Sequence, residues 1–156
     1  MASLEMYAEP SALPGSAAGR IGMLLGLARP ERQIDDVGLA DLVTKGLPVD
    51  ASDALSALIG RAQVVGPLIP EATLRRARTA RKPLSREMSE RLYEVSRVVD
   101  AVSRIYRGDR QAIVRFLGTP HKLLGGRTPL AMAQSSSAGA DAVLNLLRRA
   151  DAGFAV

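Results

Sequence analysis

Residues 85–106 read SREMSERLYEVSRVVDAVSRIY, and their spacing decides the fold class. Met88, Leu92, Val95, Val99, Val102 and Tyr106 recur at intervals of 4, 3, 4, 3 and 4. Those intervals draw one apolar stripe along a helix of about five or six turns. Ser85 stands at its start as a cap and Gly108 at its end as a stop. The stripe fits two roles, a core face or a seam between copies of the chain.

Working outward, the neighbouring segments also read as helices. Upstream, Pro70 opens a helix over residues 71–81 with Glu71 in its first turn, and Pro83 stops it. The run Val64-Val65-Gly66-Pro67-Leu68-Ile69-Pro70 before it is a turn between helices. Earlier still, residues 35–45 form a helix stopped by Gly46, and Leu47-Pro48-Val49 forms an extended bridge. Asp50 or Ser52 then caps a helix running to Ile59. Residues 20–28 make a short helix before Pro30. Gly19 just before it and Gly22 and Gly26 within it lack phosphate-loop spacing and indicate close packing or a mobile helix. Residues 1–18, with Pro10, Pro14, Gly15 and Ser16, read as a loose arm.

Downstream, Asp109 caps a helix carrying Ile113, Val114, Phe116 and Leu117. Residues 118–127 form a structured loop in which Gly125 and Gly126 supply positive φ. His121 belongs to that loop as a connector or capping residue. Thr128 caps the next helix with Pro129 at its first position, and Ser135-Ser136-Ser137 breaks it. A last helix over residues 138–150 buries Val143, Leu144 and Leu147. No strand-period alternation and no internal repeat occurs, so the expected class is all-α.

Composition narrows the chemistry. The 156 residues are 47% hydrophobic but only 3% aromatic, with two Phe, three Tyr and no Trp. Ala, Leu and Val therefore do the packing, which favours close helix–helix contact. The absence of cysteine excludes a disulfide scaffold, a thiolate zinc site and a Cys nucleophile. A single histidine, His121, speaks against a His-rich metal site or a Ser-His-Asp triad. No apolar run approaches the ~20 residues of a membrane-spanning helix, and no secretory signal is evident at the N-terminus. The expectation is a cytoplasmic protein without membrane contact, without a cofactor and without catalysis of its own.

Charge is unevenly placed. Of the net +5, residues 1–60 carry −4, residues 61–91 carry +5 and residues 92–156 carry +4. Eighteen of the 21 bases are arginine, whose forked guanidinium suits phosphates and carboxylates. A basic middle segment fits nucleic acid or a solvated helix face. Within it Thr73, Arg75, Arg76 and Arg78 spread over several helix faces while Leu74 and Ala77 turn inward, as a recognition helix requires. Arg81 and Lys82 extend the phosphate contacts. At the other end, Arg148 and Arg149 suit the negative pole of the last helix, followed by Asp151, Gly153, Phe154, Ala155 and Val156. Phe154 either folds back on its own core or enters a partner's pocket.

The ordered set Gly46-Leu47-Pro48-Val49, residues 69–76, Leu84-Ser85 with Ser89-Glu90-Arg91-Leu92, Phe116-Leu117-x-x-Pro120 and Leu124-Gly125-Gly126-Arg127-Thr128-Pro129-Leu130, followed by Gly139, Val143, Leu147 and Gly153, resembles the Xre/ParS/MbcA-type antitoxins. Their toxin partners carry the RES domain. The chain departs from the family pattern at Ser135-Ser136-Ser137-Ala138, where members carry a Thr and an acid before the glycine.

The resemblance implies an Xre-like helix-turn-helix module followed by a compact helical toxin-binding module. On that division residues 1–34 are an arm and short helix, 35–108 the helix-turn-helix module with its long connecting helix, and 109–156 the toxin-binding domain. It implies a homodimer that binds an NAD-consuming or ADP-ribosyl-transferring toxin, represses its own promoter through operator DNA and is not itself an enzyme. Arg148, Arg149, Asp151, Gly153, Phe154, Ala155 and Val156 would then contact the toxin. Phe154 would serve as anchor and the Val156 carboxylate would meet the arginines of the NAD pocket. Thr73, Arg75, Arg76, Arg78, Arg81 and Lys82 would contact DNA. The alternative is a stand-alone helix-turn-helix regulator without a toxin.

Overall fold

A computed structural model describes residues 4–153. The expected all-α class is what it shows: among the described residues there are helices and no strands. In chain order the α-helices are α1 (Ala17–Leu24), α2 (Asp36–Lys45), α3 (Val49–Ile59), α4 (Arg61–Val64), α5 (Glu71–Ala80), α6 (Arg86–Ile105), α7 (Arg110–Gly118), α8 (Pro129–Ser135) and α9 (Ser137–Asp151). None is long and apolar enough to cross a membrane.

Local chemistry sets most boundaries. A short polar side chain accepts from the backbone N–H three residues on at Asp35 to Gly38 (2.8 Å), Ser85 to Met88 (3.1 Å), Asp109 to Ala112 (3.3 Å) and Thr128 to Ala131 (3.1 Å). Each bond satisfies an N–H that the helix itself leaves orphaned. Two starts differ most from expectation. Helix α3 begins directly after Pro48, so Asp50 lies inside the first turn and the Ser52 hydroxyl donates to the Val49 carbonyl at 2.7 Å. Helix α1 begins after Ser16, which caps it through Gly19 N–H at 3.0 Å, and ends by Leu24. Its Gly22 is a close-packing position, because a Cβ there would lie 2.3 Å from Ile34 Cγ2.

Helix α6 is the spine, with α1, α2, α3, α7, α8 and α9 all packed on it. Leu92, Val95, Val99 and Val102 are fully buried within the single chain, so their stripe is core and not a seam between copies. Met88 is only half-buried, and Tyr106, which caps the helix, is exposed. Burial also spreads beyond the stripe to Ser89, Ser96, Val98, Asp100 and Ser103. Partners on several sides leave α6 with a wide buried face.

The N-terminal arm is where the structure corrects the sequence reading. Residues 4–8 and 10–12 form two short 3-10 helices, and Tyr7 is completely buried. The reason is a polar lock on α6. Asp100 accepts from Arg20 Nε at 2.9 Å, from Arg20 Nη2 at 3.2 Å and from the Tyr7 hydroxyl at 2.7 Å. Arg20 Nη1 also donates to the carbonyls of Pro14 and Gly15. Burial first, and then the adjacent Asp100 charge, push the Tyr7 hydroxyl far above its ordinary pKa, so it stays a donor. Every member of this buried cluster has a partner, as a low-dielectric site demands.

Candidate functional site

The C-terminal third is a helical hairpin on the spine. Between α7 and α8 the chain closes a small loop: His121 N–H donates to the Arg127 carbonyl, and Gly126 N–H to the His121 carbonyl, both at 3.0 Å. Gly125 and Gly126 adopt φ of 65° and 78°, the left-handed conformation that glycine tolerates without strain. His121 caps the following 3-10 turn (Lys122–Leu124) through Nδ1, which accepts from Leu123 N–H at 3.1 Å. Thr128 and Pro129 then set the start of α8 as expected.

Helices α8 and α9 meet at a sharp turn capped by Ser136, whose hydroxyl oxygen accepts from Gly139 N–H at 2.9 Å. They approach so closely that a Cβ at Gly139 would sit 2.0 Å from the Met132 carbonyl oxygen. Ala140, Val143, Leu144, Leu146 and Leu147 of α9 face the core. A second tie to the spine runs through Arg97 on α6, which donates to Glu94 at 2.7 Å and to Asp141 of α9 at 2.9 Å. Burial opposes the Arg97 charge, but those carboxylates prevail and its pKa is raised.

The opposite face of α9 is polar and open. Arg148 is exposed and donates to Asn145 at 2.9 Å. Arg149 and Asp151 are exposed with no hydrogen bond or ion pair among the described residues. Gly153 turns left-handed with φ of 86°. Phe154, Ala155 and Val156, the rest of the expected toxin-contacting set, lie outside the described residues. Next to this end of α9 a cleft of about 570 Å³ runs between the N-terminal arm, α6 and α9, with Arg104 and Arg148 on its walls.

The basic helix α5 lies elsewhere. Leu74 is buried and Thr73 half-buried, while Arg75 and Arg76 are exposed and unpaired among the described residues. Arg78 is held by Asp53 of α3, one bond measuring 2.9 Å, and its hydrogen bond to that carboxylate raises its pKa. Arg81 takes a left-handed conformation as the cap, with Lys82 exposed after it. Five of the six candidates thus share α5 and its cap and Lys82 follows directly, with Arg78 already engaged. Sequence reasoning missed Tyr7, Arg20 and Asp100. The available signal was Asp100 itself, a charge set within the apolar run Val98–Val102 and therefore in need of a buried partner.

Among the described residues, no group of three or more His, Cys, Asp or Glu side chains is placed to hold a metal ion. The chain falls, among the described residues, in the class of small all-helical proteins, with its last third a compact hairpin that ends in an exposed polar helix turn. Comparison with known proteins makes this specific. The family model of the antitoxin Xre/MbcA/ParS C-terminal toxin-binding domain matches residues 102–153. A curated relative, Antitoxin Xre of Yersinia enterocolitica serotype O:8 / biotype 1B (strain NCTC 13174 / 8081), is 32% identical over 118 residues, spanning 74% of this chain and 79% of the relative. The chain belongs to the Xre/MbcA/ParS family of antitoxins, and its role is that of the antitoxin in a toxin–antitoxin pair.

Proposed function

We propose that this antitoxin neutralises a RES-domain toxin by blocking the toxin's NAD site with its C-terminal segment, residues 153–156. The observation that carries the reading is the construction of α9. Its apolar face is used up in the core, while its last turn offers Arg148, Arg149 and Asp151 to solvent and leads into a left-handed Gly153. That arrangement suits a rigid helix that docks beside a pocket and aims the chain after it into the opening. Arg148 and Arg149 pair with toxin carboxylates, and Phe154 supplies an aromatic anchor of the kind that dominates binding energy. Ala155 and Val156 complete the plug. The inhibition is steric, so the antitoxin needs no catalytic group or cofactor, and both partners meet in the cytoplasm.

The test is deletion of residues 151–156, with toxicity scored in cells that express both proteins. The deletion restores toxicity. Full protection by the shortened chain would refute the blocking mechanism.

A second activity is favoured by the exposed, unpaired Arg75 and Arg76 on α5. As a homodimer the protein binds operator DNA through Thr73, Arg75, Arg76, Arg81 and Lys82, with residues 35–108 as the DNA module. Arg78 acts in part by holding α5 on α3. Replacing Arg75 and Arg76 by Ala weakens a gel shift and flattens its salt dependence, since each lost phosphate contact lowers the slope by about one. An unchanged shift refutes the DNA reading and leaves the toxin reading intact. A stand-alone regulator is distinguished by failure to co-purify with the product of the neighbouring reading frame.

A further inference from the structure

The cleft beside α9 is more than the flank of a helix. Pro10 and Leu13 of the N-terminal arm form one wall, Arg104 and Ile105 of α6 a second, and Leu144 and Arg148 of α9 the third. Four arginines line it against two aspartates. Asp100 is consumed by Arg20 and Tyr7, and Arg97 is held between Glu94 and Asp141. Arg104 makes no hydrogen bond or ion pair among the described residues, and Arg148 meets only the neutral Asn145. With Asp151 as the one unpaired acid on the lining, the cleft keeps a cationic surplus of one charge beside the apolar Leu13, Ile105 and Leu144. Arg104, Ile105, Leu144 and Arg148 fall within the matched toxin-binding domain, whereas Pro10 and Leu13 lie outside it. The polar lock of Tyr7 and Arg20 on Asp100 is what holds the arm in place as that outer wall.

Resting on the toxin-binding reading above, we propose that this cleft receives an acidic, partly apolar segment of the toxin, with Arg104 as its principal charge contact and the N-terminal arm as a specificity-determining wall. Arginine suits such a segment because its fork pairs both oxygens of a carboxylate while its stem lies on apolar surface. The cleft is continuous with the exposed end of α9, so one approach engages both the plug and the cleft.

The probe is the purified toxin encoded by the neighbouring reading frame, titrated calorimetrically into the full-length antitoxin at low and high salt. Arg104→Glu weakens binding by about 10-fold or more and reduces its salt dependence. Arg104→Gln, which leaves the fold less disturbed, weakens it by a smaller factor in the same direction. Arg32→Glu, an exposed site outside both the cleft and the matched domain, changes it less than about twofold. A benzophenone amino acid at position 10 crosslinks to a carboxylate-rich stretch of the toxin. The proposal is overturned if both Arg104 variants stay folded and bind within about twofold of wild type. It is equally overturned if position 10 crosslinks to residues 154–156 of the same chain or to a second antitoxin copy. Weakened binding by Arg104→Glu, together with full protection by the chain lacking residues 151–156, sinks the NAD-site plug and leaves the cleft standing. Absence of any toxin binding by the wild type sinks both.

Discussion

Replacing Asp100 by Ala strips three donors of one acceptor. Arg20 loses the partners of Nε at 2.9 Å and Nη2 at 3.2 Å, and Tyr7 loses its partner at 2.7 Å. The Arg20 side chain is only 8% exposed, so water does not readily replace the carboxylate. The two carbonyls on Nη1 remain but carry no full charge. Removing one member of a buried ion pair costs about 3–5 kcal/mol, most of it the uncompensated charge left behind. The orphaned Tyr7 donor alone is worth about 1–3 kcal/mol, but it shares its acceptor with Arg20, so the two costs do not simply add. At about 2–4 °C per kcal/mol for a chain of this size, a loss of ~3–5 kcal/mol lowers the melting temperature by roughly 6–20 °C. Urea denaturation followed by circular dichroism measures the free energy, and hydrogen exchange locates the loss in residues 4–25. The paired replacement Arg20→Met with Asp100→Leu costs less than Asp100→Ala alone, because no charge is stranded. A loss below ~1 kcal/mol for Asp100→Ala would mean that Arg20 is solvated in the folded state and that the lock does not hold the arm.

Three further outcomes follow from the same geometry. The folded-state pKa of Tyr7 is raised above the ordinary 10.0, so beyond that pH the unfolded chain releases a proton that the folded chain keeps. Stability therefore falls above pH 10 by up to ~1.4 kcal/mol per pH unit from this group, and urea titrations of Tyr7→Phe show a shallower alkaline loss despite lower stability at neutral pH. Gly139→Ala forces a methyl to within 2.0 Å of the Met132 carbonyl oxygen, so α8 and α9 must separate. The cost is about 1–3 kcal/mol or more, read as a lower urea midpoint, and a neutral result would show that the hairpin adapts. Arg78→Ala removes the surface pair with Asp53, whose side chains are about half exposed, and changes stability by less than ~1 kcal/mol in the same assay.

The caps at Ser85, Asp109 and Thr128, the long helix after Ser85 and the glycine loop before Thr128 were all readable from the chain, whereas Asp35, which reads as the first residue of its helix, is the cap. Each depends on residues within a few positions of one another, where backbone hydrogen bonding and φ preference act without help from the fold. The apolar spacing of α6 also marks Leu92, Val95, Val99 and Val102, but spacing alone fits both a core and a seam, and only their burial within the chain assigns them to the core. Of the candidate site, the exposed Arg148 and Arg149 at the end of α9 and the exposed Arg75 and Arg76 on α5 lie on the elements expected for them.

What the chain alone determined is the helical grammar: where helices start, stop and turn an apolar side inward. What tertiary structure decided is the fate of residues 4–18, which read as loose because their proline, glycine and serine break regular helix and strand patterns. Their order comes from Asp100, which lies 93 positions from Tyr7 and 80 from Arg20. A carboxylate desolvated against the central helix must find donors, and only the folded chain brings them within reach. The same packing builds the cleft beside α9, whose walls come from three segments remote in sequence.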